Sequence, residues 1–316
     1  MYDLVSLGEA LIDFTMVSAD AEGYPTMAAH PGGAPANFLA ALAKFGAKTA
    51  LIAKVGDDSF GRLLLGTLKE AGIDTRGLLM DGEVFTTLAF VTLDSKGERE
   101  FAFARKPGAD TCIREEEIDL TLIDESRAFH FGTLSLTHEP ARSATVKAVE
   151  YAKASGKLIS FDPNLREPLW PDLEQAKEQM LWGLEMADVV KISDDEVKFL
   201  FGLEPEAGCK YIFENFAPKL LFVTCGGDGC WYRNSKAMGH AESLKDIHIV
   251  DKTGAGDIFG GSAMYKLLQS GKAPEQLEEK ELEELARFAS TAAGLSATRP
   301  GGISSVPELR DVLALL

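Results

Sequence analysis

Seven consecutive residues, Asp251-Lys252-Thr253-Gly254-Ala255-Gly256-Asp257, combine the types that phosphate chemistry needs. Ile247, Ile249 and Val250 alternate just before them and predict a strand, while Ile258, Phe259, Ala263, Met264 and Leu267 recur at helical spacing and predict a helix from about Gly256. Small residues at a strand-to-helix turn leave backbone N–H groups uncovered, and the positive end of the helix dipole adds to them, which makes an anion site. Asp257 falls in the first turn, where a carboxylate can point at whatever those amides hold. A bound anion with an adjacent base is the minimum apparatus for moving a phosphoryl group onto a hydroxyl. The same residues also fit a loose dinucleotide turn. Such a turn usually follows the first strand and needs an acidic residue about 20 positions on. Here the turn is late in the chain, and the candidate acid, Glu275, falls in an Ala273-Pro274-Glu275 loop.

Four more stretches carry both a structural and a chemical reading. Gly32-Gly33-Ala34-Pro35-Ala36-Asn37 can simply start a helix, but its glycines also admit a ligand to the backbone, and the Asn37 amide can both donate to and accept from hydroxyls. Asp162-Pro163-Asn164-Leu165-Arg166 follows a strand, where open α/β sheets bind ligands; Arg166 adds a planar cation suited to phosphate. Ser193-x-x-Glu196 is a capping box, or else Glu196 orders magnesium-bound water while Lys191 meets a phosphate. Thr224-Cys225-Gly226-Gly227-Asp228-Gly229 is a tight turn, or a flat backbone bordering a nucleotide. No Gly-x4-Gly-Lys-[Ser/Thr] occurs and the protein-kinase motif set is absent, so any phosphoryl transfer belongs to a third class.

These stretches need a scaffold, and the periodicity supplies one. Strands are predicted at 2–8, 49–55, 128–131, 157–162, 189–192, 220–225 and 230–233. Helices are predicted at 36–45, 61–71, 141–154, 174–186, 194–201 and 281–298. This is the rhythm of a layered α/β fold. Two segments break it. Residues 14–32 form a connection without helical period, and 84–93 and 99–105 alternate around Asp94-Ser95-Lys96-Gly97 as a hairpin. Both read as a small lid, inserted at about 14–32 and 84–108 of one domain. A lid keeps water from accepting the phosphoryl group.

With 316 residues, 46% hydrophobic and 26% charged, the chain is long enough for a large core and ordinary for a globular protein. The net charge of −17 repels nucleic acid and anionic membrane, so neither is expected as a partner. No basic leader and no apolar run of spanning length is present, and Cys112, Cys209, Cys225 and Cys230 show no paired spacing, so a cytoplasmic protein with reduced thiols is expected.

Together these residues resemble the PfkB (ribokinase-like) family of carbohydrate kinases over essentially the whole chain. Gly32 to Asn37 resembles the family's first signature, and Asp251-x-Thr253-Gly254-Ala255-Gly256-Asp257 its second. The resemblance implies a three-layer α/β/α fold with a central, mostly parallel sheet and a small β lid that often mediates dimerisation. It implies ATP with Mg2+ and a sugar as ligands, and K+ in many members. Asp257 would then be the base that takes the proton from a primary hydroxyl, and the amides of Gly254, Ala255 and Gly256 would stabilise the transferring group. Asp13, Gly33, Asn37 and Asn164 would bind sugar hydroxyls, and Arg166 would sit near the transferring phosphate. Thr224, Gly226 and Gly229 would border the nucleotide; Asp251 and Thr253 resemble a monovalent-cation site. Ser193 departs from the family's frequent Asn-x-x-Glu, leaving Glu196 as the magnesium-linked residue.

Within the family, the stretch from Phe101 through Phe103 and Arg105 to Asp110 is similar to the fructokinase pattern, which would put Phe101, Phe103 and Arg105 on the sugar; Gly8 to Phe14 and Asp162 to Arg166 are similar to that pattern too. The expected reaction is phosphorylation of D-fructose to fructose 6-phosphate. The nearest rival is 2-keto-3-deoxygluconate, with Arg105 on its carboxylate. A non-catalytic sugar- or nucleotide-binding protein is the contrasting class, and a base beside an anion site speaks against it.

Overall fold

Alternate residues of single strands belong to different cores, and this determines the architecture. The computed structural model describes residues 1–93 and 99–316. The expected turn at Asp94 to Gly97 lies outside the described residues, and so does the side chain of Phe101.

The chain opens with β1 (Tyr2–Leu7), leaves for a separate sheet through β2 (Leu11–Ala19) and β3 (Pro25–Gly32), and returns by α1 (Ala34–Lys44) to β4 (Thr49–Gly56). After α2 (Ser59–Glu70), β5 (Ile73–Asp74) and β6 (Leu78–Asp81), it visits the second sheet again as β7 (Leu88–Leu93) and β8 (Arg99–Ala104). Then α3 (Leu120–Asp124), β9 (Ser126–Gly132), α4 (Ala141–Ala154), β10 (Leu158–Asp162), α5 (Leu173–Met186) and β11 (Val189–Ser193) alternate. Helices α6 (Asp194–Phe201) and α7 (Pro205–Phe216) precede β12 (Leu220–Thr224), β13 (Cys230–Arg233) and β14 (Met238–Ala241). The chain ends in α8 (Ala255–Ser270), α9 (Glu279–Ser296) and α10 (Leu309–Leu313).

The main sheet runs β14-β13-β12-β11-β10-β9-β1-β4-β5, with β6 also on β4; it is parallel except for the β12-β13-β14 edge. On β4, Leu51, Ala53 and Val55 face a core shared with α1, α8 and α9, while Ala50 and Ile52 face one shared with α4 and α5. Leu220 and Phe222 against Leu221 and Val223 divide β12 in the same way. Both faces are therefore covered, as a parallel sheet requires. Each fully buried Leu, Ile, Val or Phe contributes about 1.5–3 kcal/mol. The second sheet, β3-β2-β7-β8, stands apart from this sandwich.

Several expectations need correcting. Residues 14–32, expected to lack helical period, hold most of β2 and all of β3, paired antiparallel with Asp13 opposite His30. The hairpin strand predicted from Val84 begins only at Leu88, because the Thr86 N–H and hydroxyl both turn to Asp58 (2.8 and 3.0 Å). Ile247, Ile249 and Val250 form no strand. The β13–β14 hairpin already closes that edge, and the N–H groups of Val250 and Asp251 donate instead to the carbonyl of Ala297 at the end of α9 (2.8 and 3.1 Å). Helix α7 and strand β14 were not predicted at all. The helix predicted at 281–298 runs from Glu279 to Ser296. Among the described residues no helix is long and apolar enough to cross a membrane, and the four cysteines are free.

Candidate active site

Helix α8 begins with Gly254 at φ +76°, a left-handed conformation glycine adopts without penalty. No side chain caps the helix, so its first amides stay open. Of the three amides expected to face an anion, that of Ala255 donates to the Lys252 carbonyl (3.2 Å). The N–H groups of Gly254 and Gly256 meet no acceptor among the described residues. The Lys191 ammonium stands over this turn: a Cβ on Gly256 would lie 3.1 Å from its Nζ.

Asp257, in the same first turn, is 8% exposed. One carboxylate oxygen accepts from Asn37 Nδ2 (2.9 Å) and the other from Asn164 Nδ2 (3.4 Å). Burial raises its carboxyl above the ordinary range, while the Asn37 hydrogen bond, Lys191 and Arg166 pull it down. Asn37 reaches Asp257 because α1 and α8 pack at close range. A Cβ on Gly261 would strike the Phe38 carbonyl, and would sit 3.0 Å from Ala41 Cβ. Two glycines inside a predicted helix, Gly260 and Gly261, were the sequence signal for that contact. Asn164 is held at φ +47°, unusual for a residue with a Cβ, just past β10. The carbonyl oxygen of Asn37 is buried without a partner among the described residues.

These groups border a cavity of ≈ 200 Å³ at the carboxyl ends of β10 and β11. Its lining includes the expected Asp13, Gly33, Asn37, Phe103, Asn164, Arg166, Lys191, Thr253, Gly254, Gly256 and Asp257, together with Glu9, Leu11, Ala34, Leu134 and Lys252. The small sheet contributes Leu11, Asp13 and Phe103, so it roofs the cavity. Sequence reasoning missed Glu9. It lies two residues past β1, is 3% exposed, and accepts the Ala34 N–H (2.8 Å), which fixes the turn before α1. Burial pushes the carboxyls of Glu9 and Asp13 each to about 7, although Arg166 pulls Asp13 down.

Behind the turn, Lys191 pairs with Asp162 (3.0 Å). The pair is buried; Asp162, Glu196 and Asp257 hold Lys191 in its charged form against desolvation. Beneath them His130 stacks on Phe38 (3.7 Å between centroids) and burial keeps it neutral, its pKa down to about 3.

Other expected residues lie outside the lining. Glu196 forms the capping box of α6, one oxygen accepting from Ser193 N–H and the other from Leu165 N–H (both 2.8 Å). Each oxygen keeps a second lone pair, and no group of three His, Cys, Asp or Glu able to hold a metal occurs among the described residues. This side chain therefore suits a metal reached through water rather than a dedicated protein cage. Asp251 braces the turn, with Oδ1 accepting from the Thr253 N–H and hydroxyl (2.9 and 2.7 Å) and Oδ2 from Gly301 N–H (3.0 Å). Thr224 stands opposite Ser193 at the end of β12, with Gly226 (φ +53°) in open space beyond it. Gly229 has a structural reason, since a Cβ there would strike the Ala241 carbonyl. Arg105, expected on the sugar, points elsewhere: its side chain is 2% exposed and paired with Asp110 (2.6 Å).

The chain is similar along its length to proteins named as fructokinases and, in structure, also to one named as a putative ribokinase. It is 42% identical to "Fructokinase-1" of Oryza sativa subsp. japonica, over 99% of this chain and 97% of that protein. It is 41% identical to "Probable fructokinase-4" of Arabidopsis thaliana, over 99% and 96%. In structure it is similar to a fructokinase with bound ATP from Xylella fastidiosa, with a TM-score of 0.90 at 30% identity over 100% and 98% of the two chains. A Vibrio cholerae fructokinase solved in a fructose, ADP and potassium ion bound form gives 0.87 at 29% identity, over 100% and 98%. A putative ribokinase II from E. coli in complex with ATP and Mg2+ gives 0.87 at 28%, over 100% and 99%. A profile described as pfkB family carbohydrate kinase matches residues 1–309. An Asp at a glycine-rich helix start, beneath a cavity roofed by a second sheet, is thus set in a full-length family match, and the chain belongs to the pfkB family of carbohydrate kinases.

Proposed function

We propose that this kinase transfers the γ-phosphoryl group of ATP to the primary hydroxyl of D-fructose, giving fructose 6-phosphate. The observation that carries the reading is the Asp257 carboxylate, buried at an uncapped helix start and held by two amides beneath a sugar-sized cavity. Asp257 is the base: it takes the hydroxyl proton as the oxygen attacks in line. Asp13, Asn37, Asn164 and the Gly33 backbone orient the sugar. Lys191, Arg166 and the free amides of Gly254 and Gly256 meet the negative charge that the transferring group carries. Thr224, Gly226 and Gly229 border the nucleotide. Glu196 would hold magnesium through water, and that ion would supply charge neutralisation at the phosphates; Asp251 and Thr253 would hold potassium. The small sheet acts as a lid that excludes water and offers its outer face to a second copy of the chain.

Fructose is favoured by the names of the relatives. The rival keto acid relied on Arg105 meeting its carboxylate, and the commitment of that guanidinium to Asp110 speaks against it. The test is ATP consumption on fructose, 2-keto-3-deoxygluconate, ribose, adenosine and fructose 6-phosphate, with magnesium present and potassium varied. Fructose should stand well above the rest. Preference for the keto acid would replace the substrate but keep the base; turnover of none would overturn the reading.

A further inference from the structure

Arg105 is a buried cation beside the cavity, bound on several sides. Its Nε donates to Asp110 Oδ2 (2.8 Å), which its Nη2 also meets (2.6 Å). Nη1 donates to Thr137 Oγ1 (2.8 Å), and Nη2 to the carbonyl of Leu134 (2.8 Å). The network closes on itself. Thr137 Oγ1, having accepted from Arg105, gives its own proton to the same Leu134 carbonyl (2.8 Å), and the Thr87 hydroxyl donates to Asp110 Oδ1. Gly108 completes the packing, since a Cβ there would strike Thr87 Oγ1.

The members come from separate segments. Thr87 immediately precedes β7, Arg105 immediately follows β8, and Leu134 and Thr137 lie in the loop after β9 of the main sheet. Two residues that these bonds immobilise are walls of the cavity: Leu134 itself, and Phe103, two positions before Arg105 on β8. Four of the five guanidinium N–H groups are engaged, in a dry site outside the cavity lining, so the side chain is not aimed at a sugar hydroxyl; it determines where the roof meets the floor.

We propose that Arg105 is a positioning residue: with Asp110, Thr87 and Thr137 it clamps the small sheet to the loop after β9 and so sets the sugar-side walls Phe103 and Leu134. The proposal rests on the kinase reading for its kinetic consequence, but not for the clamp itself.

Thr137→Val, Arg105→Lys and the double variant test it. Thr137→Val keeps the shape and removes one acceptor and one donor. The sugar KM should rise about tenfold in each single variant, with kcat and the ATP KM within about twofold, because a lost hydrogen bond to a charged group displaces a wall and leaves the reacting groups in place. The double variant should be little worse than either single one, since both break one network. Amide hydrogen exchange should accelerate in the segments 102–105 and 133–137 of Thr137→Val and remain unchanged in β11. An unchanged sugar KM together with unchanged exchange would overturn the proposal. So would a silent Thr137→Val beside a crippled Arg105→Lys, which is the pattern of direct substrate contact. If the wild-type protein phosphorylates no sugar, the functional reading falls and the exchange data decide the clamp alone.

Discussion

Two buried polar clusters lie within one wall of each other, and they are built on opposite rules. Around Asp257, four carboxylates (Asp257, Asp162, Asp13 and Glu9) border a cavity or its floor, burial raises all four, and the Asn37 oxygen has no partner among the described residues. Around Arg105, one cation meets one carboxylate, with a hydroxyl and a carbonyl oxygen on two further donors, and neither Arg105 nor Asp110 side chain exceeds 2% exposure. The first cluster keeps unspent hydrogen-bonding capacity and raised carboxyls, which is what a site awaiting a ligand requires. The second spends its capacity internally and can only hold things in place. A buried ion near a cavity is therefore read by its unfilled valences, not by its charge.

Removing the Asp257 carboxylate should break this contrast most sharply. Asp257→Asn keeps the shape and an acceptor for one of the two asparagine amides, and its kcat should fall about 10² to 10⁴; turnover near wild type would remove Asp257 from the mechanism. The converse is expected at the other cluster. Asp110→Ala strands the Arg105 charge in a dry site and should cost about 3–5 kcal/mol of stability, measured by denaturant unfolding. Lys191→Met takes the cation from above the Gly256 turn and should lower kcat/KM for ATP about 10²-fold, with a smaller effect on stability; initial rates at varied ATP check it.

The finest comparison is in pH. Glu9 has a folded-state pKa of about 7, raised from 4.5 by burial, so the folded state binds its proton more tightly than the unfolded chain does. Its stabilising contribution is complete below pH 4.5 and is lost as pH rises to about 7. Glu9→Gln cannot ionise, and its Oε1 can still accept from Ala34. It should gain about 1–3 kcal/mol over wild type at pH 8 relative to pH 4. Thermal unfolding at the two pH values measures the difference. An equal effect at both would mean that Glu9 does not titrate abnormally.

Much of the site was legible before any fold was known. Gly254, Gly256 and Asp257, the Gly33 turn with Asn37, and Asn164 with Arg166 are residues whose types are local signals: glycine where backbone must be exposed, amide and carboxylate where the chain leaves an element. The strands and helices that carry them followed from period and punctuation. The misses have a common cause. The 247–250 alternation was locally a strand, but a strand exists only if an edge is free to pair, and β14 had taken it. Glu9 looked like a strand end, because nothing in its neighbours says that Ala34 will return to its carboxylate. Arg105 was placed at the substrate through the resemblance of Phe101 to Asp110 to the fructokinase pattern, and a resemblance in sequence does not say which way a guanidinium turns.

By itself, then, the order of residues determined the layered α/β scaffold, the uncapped helix start and the presence of a carboxylate in its first turn, because those depend on contacts a few residues apart. Tertiary structure alone decided which long-range partners each charge would meet. Asn37 is 220 positions from Asp257 yet bonded to it, and Arg105 is turned away from the cavity by Asp110, Thr137 and Leu134. Electrostatics and desolvation are set by neighbours in space, so which charged groups do chemistry and which hold the walls emerged only on folding.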